Sequence, residues 1–95
     1  MATWNFYVER AVDVLVHVRL AHFIGLDGTP TDECITRMEE GRLSSGERVL
    51  VALALAIVDR GPIGDSPPKV SDLMRLDNDN LRAVGKALIA LADHR

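Results

Sequence analysis

The chain has 95 residues, 47% of them hydrophobic but only 4% aromatic, a net charge of -3 and a single cysteine, Cys34. That length makes one domain, residues 1–95, near the small end of what folds unaided. A lone cysteine excludes a disulfide framework and points to a reducing, cytoplasmic compartment. Acid is concentrated in residues 27–48, where Asp27, Asp32, Glu33, Glu39, Glu40 and Glu47 face only Arg37, Arg42 and Arg48. No basic block stands out that would dominate attraction to nucleic acid.

Thr3 can cap a helix running from Trp4 to about Phe23. Tyr7, Ala11, Val14, Val18 and Ala21 make one stripe, and Val8, Val12 and Leu15 lie beside it. Val12, Val14, Val16, Val18 and Leu20 also alternate as a strand would. The length of the segment, its lack of Gly or Pro, and the break at Leu15 and Ala21 favour helix. Glu9, Arg10 and Asp13 within the apolar stretch are wrong for a secretory signal peptide. Trp4, Phe6, Tyr7, Leu20 and Phe23, spread around such a helix, give it more apolar surface than one side of a small bundle needs, so they are candidate protein-interaction residues.

Gly25-Leu26-Asp27-Gly28 ends this helix. Thr29-Pro30-Thr31-Asp32 then reads as a helix start, with Thr29 as N-cap, Pro30 at the first helical position, and Asp32 and Glu33 at the positive end of the dipole. The short helix reaches about Glu40 and stops at Gly41, with Cys34, Ile35 and Met38 inward. Asp32, Glu39 and Glu40 face water. They form a candidate docking face for a basic partner surface, where opposite charge speeds encounter.

Ser44 begins a central helix, and Glu47 completes a capping box. From Val49 to Val58 ten apolar residues follow without a polar interruption. A helix apolar on every side has to be surrounded, and this one is shorter than the roughly 20 residues a bilayer requires. It is expected to run over 45–60 with the remaining helices around it. Gly61-Pro62 ends it in a Gly-, Pro- and Ser-rich loop that continues to about Lys69. Ser71 or Val70 opens a brief helix through Leu76. Asp77 caps a last one over about 78–92, with Leu81, Val84, Leu88 and Leu91 inward. Gly85 within it costs about 1 kcal/mol relative to Ala, which a close helix–helix approach would explain. The prediction is an all-α bundle of about five helices, three long and two short.

No motif in this chain specifies an enzyme. Leu43-Ser44-Ser45-Gly46-Glu47 resembles the signature motif of ABC-type and chromosome-maintenance ATPases, but the phosphate-cradling G-x-x-x-x-G-K-[ST] loop that chemistry requires is missing. A capped hydrophobic helix accounts for the match. His17 and His22 lie five residues apart, about 140° around a helix, whereas two ligands of one metal sit at i and i+4. No cofactor or metal is expected, and Cys34 reads as a small buried hydrophobe. The C-terminal helices have the order of a helix-turn-helix core. On that alternative reading Asn78, Asn80, Arg82 and Lys86 would face DNA, although Asp77 stands at the tight turn and Asp79 would lie near the phosphates.

Leu43-Ser44-Ser45-Gly46-Glu47-Arg48, Val70-Ser71-Asp72-Leu73, Leu76-Asp77-Asn78-Asp79-Asn80-Leu81 and Ala87-Leu88 together resemble small uncharacterised helical proteins of actinobacteria and their phages. The resemblance covers about half the chain and implies a phage- or prophage-encoded accessory protein, without an activity or a catalytic residue to carry over. The expected function is a non-enzymatic interaction or regulatory module. Its expected partner is another protein or a second copy as a homodimer, with nucleic acid as the alternative and no membrane.

Overall fold

A computed structural model describes residues 3–58 and 69–94, with side chains placed for 6–58 and 69–93. Five helices follow in order: α1 (Thr3–Leu15), α2 (Asp32–Glu39), α3 (Ser45–Ile57), α4 (Val70–Leu73) and α5 (Asn78–His94). A 3-10 turn over Ala21–Phe23 lies between α1 and α2. This is an all-α bundle with three long helices and two short ones. The Cα radius of gyration, 12.3 Å, matches the roughly 12 Å of a globular chain this long.

The first helix ends eight residues sooner than the hydrophobic pattern predicts, and the strand alternative for 12–20 does not form. The end is a Schellman motif. Arg19 takes a left-handed φ of 61°. Its amide donates to the Val16 carbonyl at 3.1 Å, and the Leu20 amide donates to the Leu15 carbonyl at 3.1 Å. This pair of bonds satisfies the last carbonyls of the helix, with Leu20 packing back beside Leu15. The reversal turns Leu20 and Phe23, expected on an outer helical face, into the core, where they are 3% and 0% exposed.

A tight loop follows. The Gly28 amide donates to the Gly25 carbonyl at 2.9 Å and the Gly25 amide to the Thr29 carbonyl at 2.8 Å. Asp27 Oδ1 accepts from both the Thr29 amide and the Thr29 hydroxyl, and Ile24 and Pro30 form an isolated antiparallel bridge. Thr29 and Pro30 are thus used in closing the loop. The N-cap falls two residues later than predicted, on Thr31, whose hydroxyl accepts from the Cys34 amide. Asp32 and Glu33 stand in the first turn as expected. The far end of α2 repeats the ending of α1: Gly41 has φ 68°, its amide donates to Met38 O, and the Arg42 amide donates to Arg37 O.

The capping box of α3 forms as the sequence implies. Ser44 Oγ accepts from the Glu47 amide at 3.2 Å, and Glu47 Oε1 accepts from the Ser44 amide at 2.8 Å. Leu50, Val51, Ala54, Leu55 and Val58 are buried, Val49, Leu53 and Ile57 half-buried, and Ala56 exposed. The apolar run is therefore wider than the bed made for it. α1 is the element that packs against both α3 and α5, through Val8, Ala11, Val14 and Leu15. Residues 59–60, predicted as the end of the central helix, and residues 61–68 of the loop predicted to about Lys69 lie outside the described residues.

Asp77 caps α5, its Oδ1 accepting from the Asn80 amide at 2.8 Å. The buried face of α5 is Ala83, Val84 and Ala87, rotated from the leucine stripe predicted. Small residues let α5 lie close on α1, which moves Leu81 and Leu91 to the flank and leaves Leu88 45% exposed. Gly85 is also read differently in three dimensions. An added Cβ there would meet nothing within 4 Å among the described residues, so no close approach among them accounts for it.

Candidate protein-interaction surface

The acidic face sits on α2. Asp32 and Glu39 are seven residues apart and so fall on one side of the helix; both are exposed and neither makes an ion pair among the described residues. Glu40 is exposed but tied to Arg42 at 2.8 Å. Glu33, its neighbour on the helix, is bound on two sides, by His22 Nε2 at 3.1 Å and by Arg37 at 3.6 Å. The hydrogen bond from His22 is the largest influence holding the Glu33 carboxyl below the usual glutamate range, with the charges of His22 and Arg37 adding to it. Arg37 also lies over the Phe23 ring, 5.4 Å from its centroid, and His22 meets the same ring edge-on. These contacts anchor the outer corner of α2 to the 3-10 turn.

The aromatic candidates divide. Leu20 and Phe23 belong to the core and offer no surface, a correction that follows from the turn at Arg19. Phe6 is half-buried beneath the Arg10 guanidinium, 4.7 Å from the ring centroid, with Tyr7 edge-on at 5.9 Å. Arg10 is held there by Asp13 at 2.9 Å and Glu9 at 3.6 Å. The Trp4 side chain lies outside the described residues. Tyr7 forms one wall of a groove of about 360 Å³, whose other walls are Ala56 and Ile57 of α3 and Leu88, Leu91 and Ala92 of α5, and whose open surface is more polar than apolar. Ile89, 63% exposed, follows on the outer side of α5. The sequence reading missed this groove because it placed Leu88 inward; the signal was the Ala83–Ala87 pair, which sets the closer-packing face.

A second cleft, about 410 Å³, opens on the other side of α5. Ala83, Ala87 and Ala90 form its floor, and Arg10, Asp13, His17 and Lys86 its rim. Of the residues considered for DNA, Asn78, Arg82 and Lys86 share the exposed face of α5, while Asn80 turns inward and its Oδ1 is buried without a hydrogen-bond partner. The helix before them, α4, has four residues and none of them buried. A helix-turn-helix pair needs a longer first helix to brace the second.

Cys34 is fully buried, and loss of water around it pushes its thiol up to about 11. It packs as a small hydrophobe, and no hydrogen bond joins it to a histidine among the described residues. Among those residues no three His, Cys, Asp or Glu side chains gather where they could hold a metal ion. No described helix is long and apolar enough to cross a membrane. Fold and surface together define a small helical bundle with a groove beside its last helix and exposed Leu88 and Ile89 on that helix. Comparison with family models, curated proteins and solved structures gave no match to this chain.

Proposed function

We propose that the chain is a non-enzymatic interaction module that binds a protein partner through the apolar side of α5 and the groove beside it. The observation that carries this reading is the outward placement of the adjacent Leu88 and Ile89, 45% and 63% exposed, on one side of α5. Apolar surface gathered in one place marks a site of contact, whereas scattered residues do not. The acidic face of α2 lies on a different element and suits steering toward a basic partner.

The second reading, DNA binding, draws on Asn78, Arg82 and Lys86 sharing one exposed face; the brevity of α4 and the inward turn of Asn80 weigh against it. One experiment separates the two. The wild-type chain, Leu88→Asp and Arg82→Ala/Lys86→Ala are used to capture partners from lysate with and without nuclease. A protein that survives nuclease, is lost with Leu88→Asp and is kept by the double variant supports the module. Capture that disappears with nuclease and with the double variant replaces it with DNA binding.

A further inference from the structure

Gly85 stands in the eighth position of a 17-residue helix, where glycine costs about 1 kcal/mol relative to alanine. No described residue lies within 4 Å of where its Cβ would be. The residues around it on the outer face are Ile89, Ala92, Arg82, Lys86 and Asp93. With about 100° per residue, Gly85, Ile89 and Ala92 form one narrow outward stripe, and Lys86 and Asp93 both fall on the same flank of it. Neither Lys86 nor Asp93 makes an ion pair among the described residues.

The spacing is self-complementary. Gly85 and Ala92 are seven residues apart, and so are Lys86 and Asp93; Ile89 lies at the middle of both pairs to within half a residue. A two-fold axis through Ile89 that runs two α5 helices antiparallel sets each glycine opposite an alanine. It also sets each lysine beside an aspartate. We infer that a second copy of this chain covers the outer face of α5, with Ile89 against Ile89 on the axis. Gly85 of each copy then lies under Ala92 of the other, and Lys86 of each pairs with Asp93 of the other. This rests on the interaction-module reading and names its partner.

The chemistry favours this occupant over an unrelated helix. An isologous contact has to match itself, and Lys86 and Asp93, seven residues apart on one flank of the stripe, meet each other's copies in this register, with Arg82 at its edge. The two small residues form layers on either side of the axis, letting the helices approach at the short end of the usual 8–10 Å range. The Ile89 pair then fills the space between them. In this account the glycine is tolerated in the helix because its half-buried backbone becomes the floor for a neighbour.

The test is the solution mass of the wild-type chain and three variants, with circular dichroism to show that each folds. Wild type is expected at twice 10.4 kDa at about 100 µM, a concentration that reveals even a weak complex. Ile89→Asp is expected to run as a monomer. Lys86→Asp, which sets like charges side by side, should weaken the dimer roughly tenfold or more, and Lys86→Asp/Asp93→Lys should restore it. The register has its own check in Ile89→Cys, which should form a covalent dimer with oxidised glutathione while Asn78→Cys does not; buried Cys34 stays silent.

A wild-type monomer at that concentration overturns the second copy as partner. If a captured protein is then still lost with Leu88→Asp, the module reading stands alone; if nothing is captured, both fall. A dimer indifferent to Ile89→Asp and to the charge swap places self-association on another surface and overturns the inference as well.

Discussion

Two helices of this protein end in the same hydrogen-bonded motif, one on arginine and one on glycine, and the pair makes a matched experiment. At Gly41 the left-handed backbone costs glycine nothing, and an added Cβ would meet nothing within 4 Å. At Arg19, φ is 61° and the side chain is exposed. A side chain in this conformation costs roughly 1–2 kcal/mol, and the greater freedom glycine gives the unfolded chain returns about 0.4–1 kcal/mol of that. Arg19→Gly should therefore stabilise the fold by about 0.5–1 kcal/mol, and Gly41→Ala should destabilise it by a similar amount. For a domain of this size these correspond to melting shifts of roughly 3–6 °C in opposite directions. Urea unfolding followed by circular dichroism reads the free energies directly, and an unchanged slope shows that the unfolded ensemble has not moved. Arg19→Val should fall below wild type, because β-branching adds to the strain. Loss of stability in Arg19→Gly together with indifference to Gly41→Ala would refute the assignment of both helix ends.

Ser44→Ala removes the acceptor for the Glu47 amide and should cost about 1 kcal/mol, seen as a lower urea midpoint. Leu55→Ala, at a site with no exposure, should cost about 2–5 kcal/mol; against a total near 5–14 kcal/mol for a chain this long, the variant should be marginal at 37 °C by calorimetry. In a carboxyl titration followed by NMR, Glu33 should protonate below the ordinary glutamate value, and His22→Ala should raise it back. The sign is that of a depressed acid: its contribution to stability is present above the unfolded pKa and is lost as pH falls through the folded one. In the Ile89→Asp background, where no second copy is bound, Gly85→Ala should raise the unfolding free energy by about 1 kcal/mol, since no described residue lies within 4 Å of the added Cβ; a drop in stability there would mean that the glycine is packed against its own chain.

The readable parts of this fold were those written in adjacent residues. Ser44 and Glu47 sit one turn apart and form the capping box their spacing implies, and Asp77 caps α5 through its own carboxylate. Gly41 announces the end of α2 by its type. The end of α1 carries no such mark, because arginine occupies a position whose backbone suits glycine. Hydrophobic periodicity runs through the turn unbroken, so Leu20 and Phe23 look like an outer stripe until the chain reverses and buries them. The Thr29 hydroxyl and carbonyl were spent on closing the Gly25–Thr29 loop, a contact that local capping rules do not weigh. The groove was hidden for another reason: leucine is more hydrophobic than alanine, so the leucine stripe of α5 read as its inner face. Closeness of packing against α1 decided otherwise and turned Ala83, Val84 and Ala87 inward. Leu88 was left to build the surface.

The burial of Cys34 gives the protein a reporter of its own opening. A thiol reagent attacks only the thiolate, and this sulfur is both occluded and raised to about 11, so modification has to wait until α2 lifts from the body. The labelling rate at fixed reagent thus measures the population of that open state, and its dependence on urea tells whether α2 detaches alone or only when the whole bundle unfolds. One native atom can divide local breathing from global collapse, without any label being introduced.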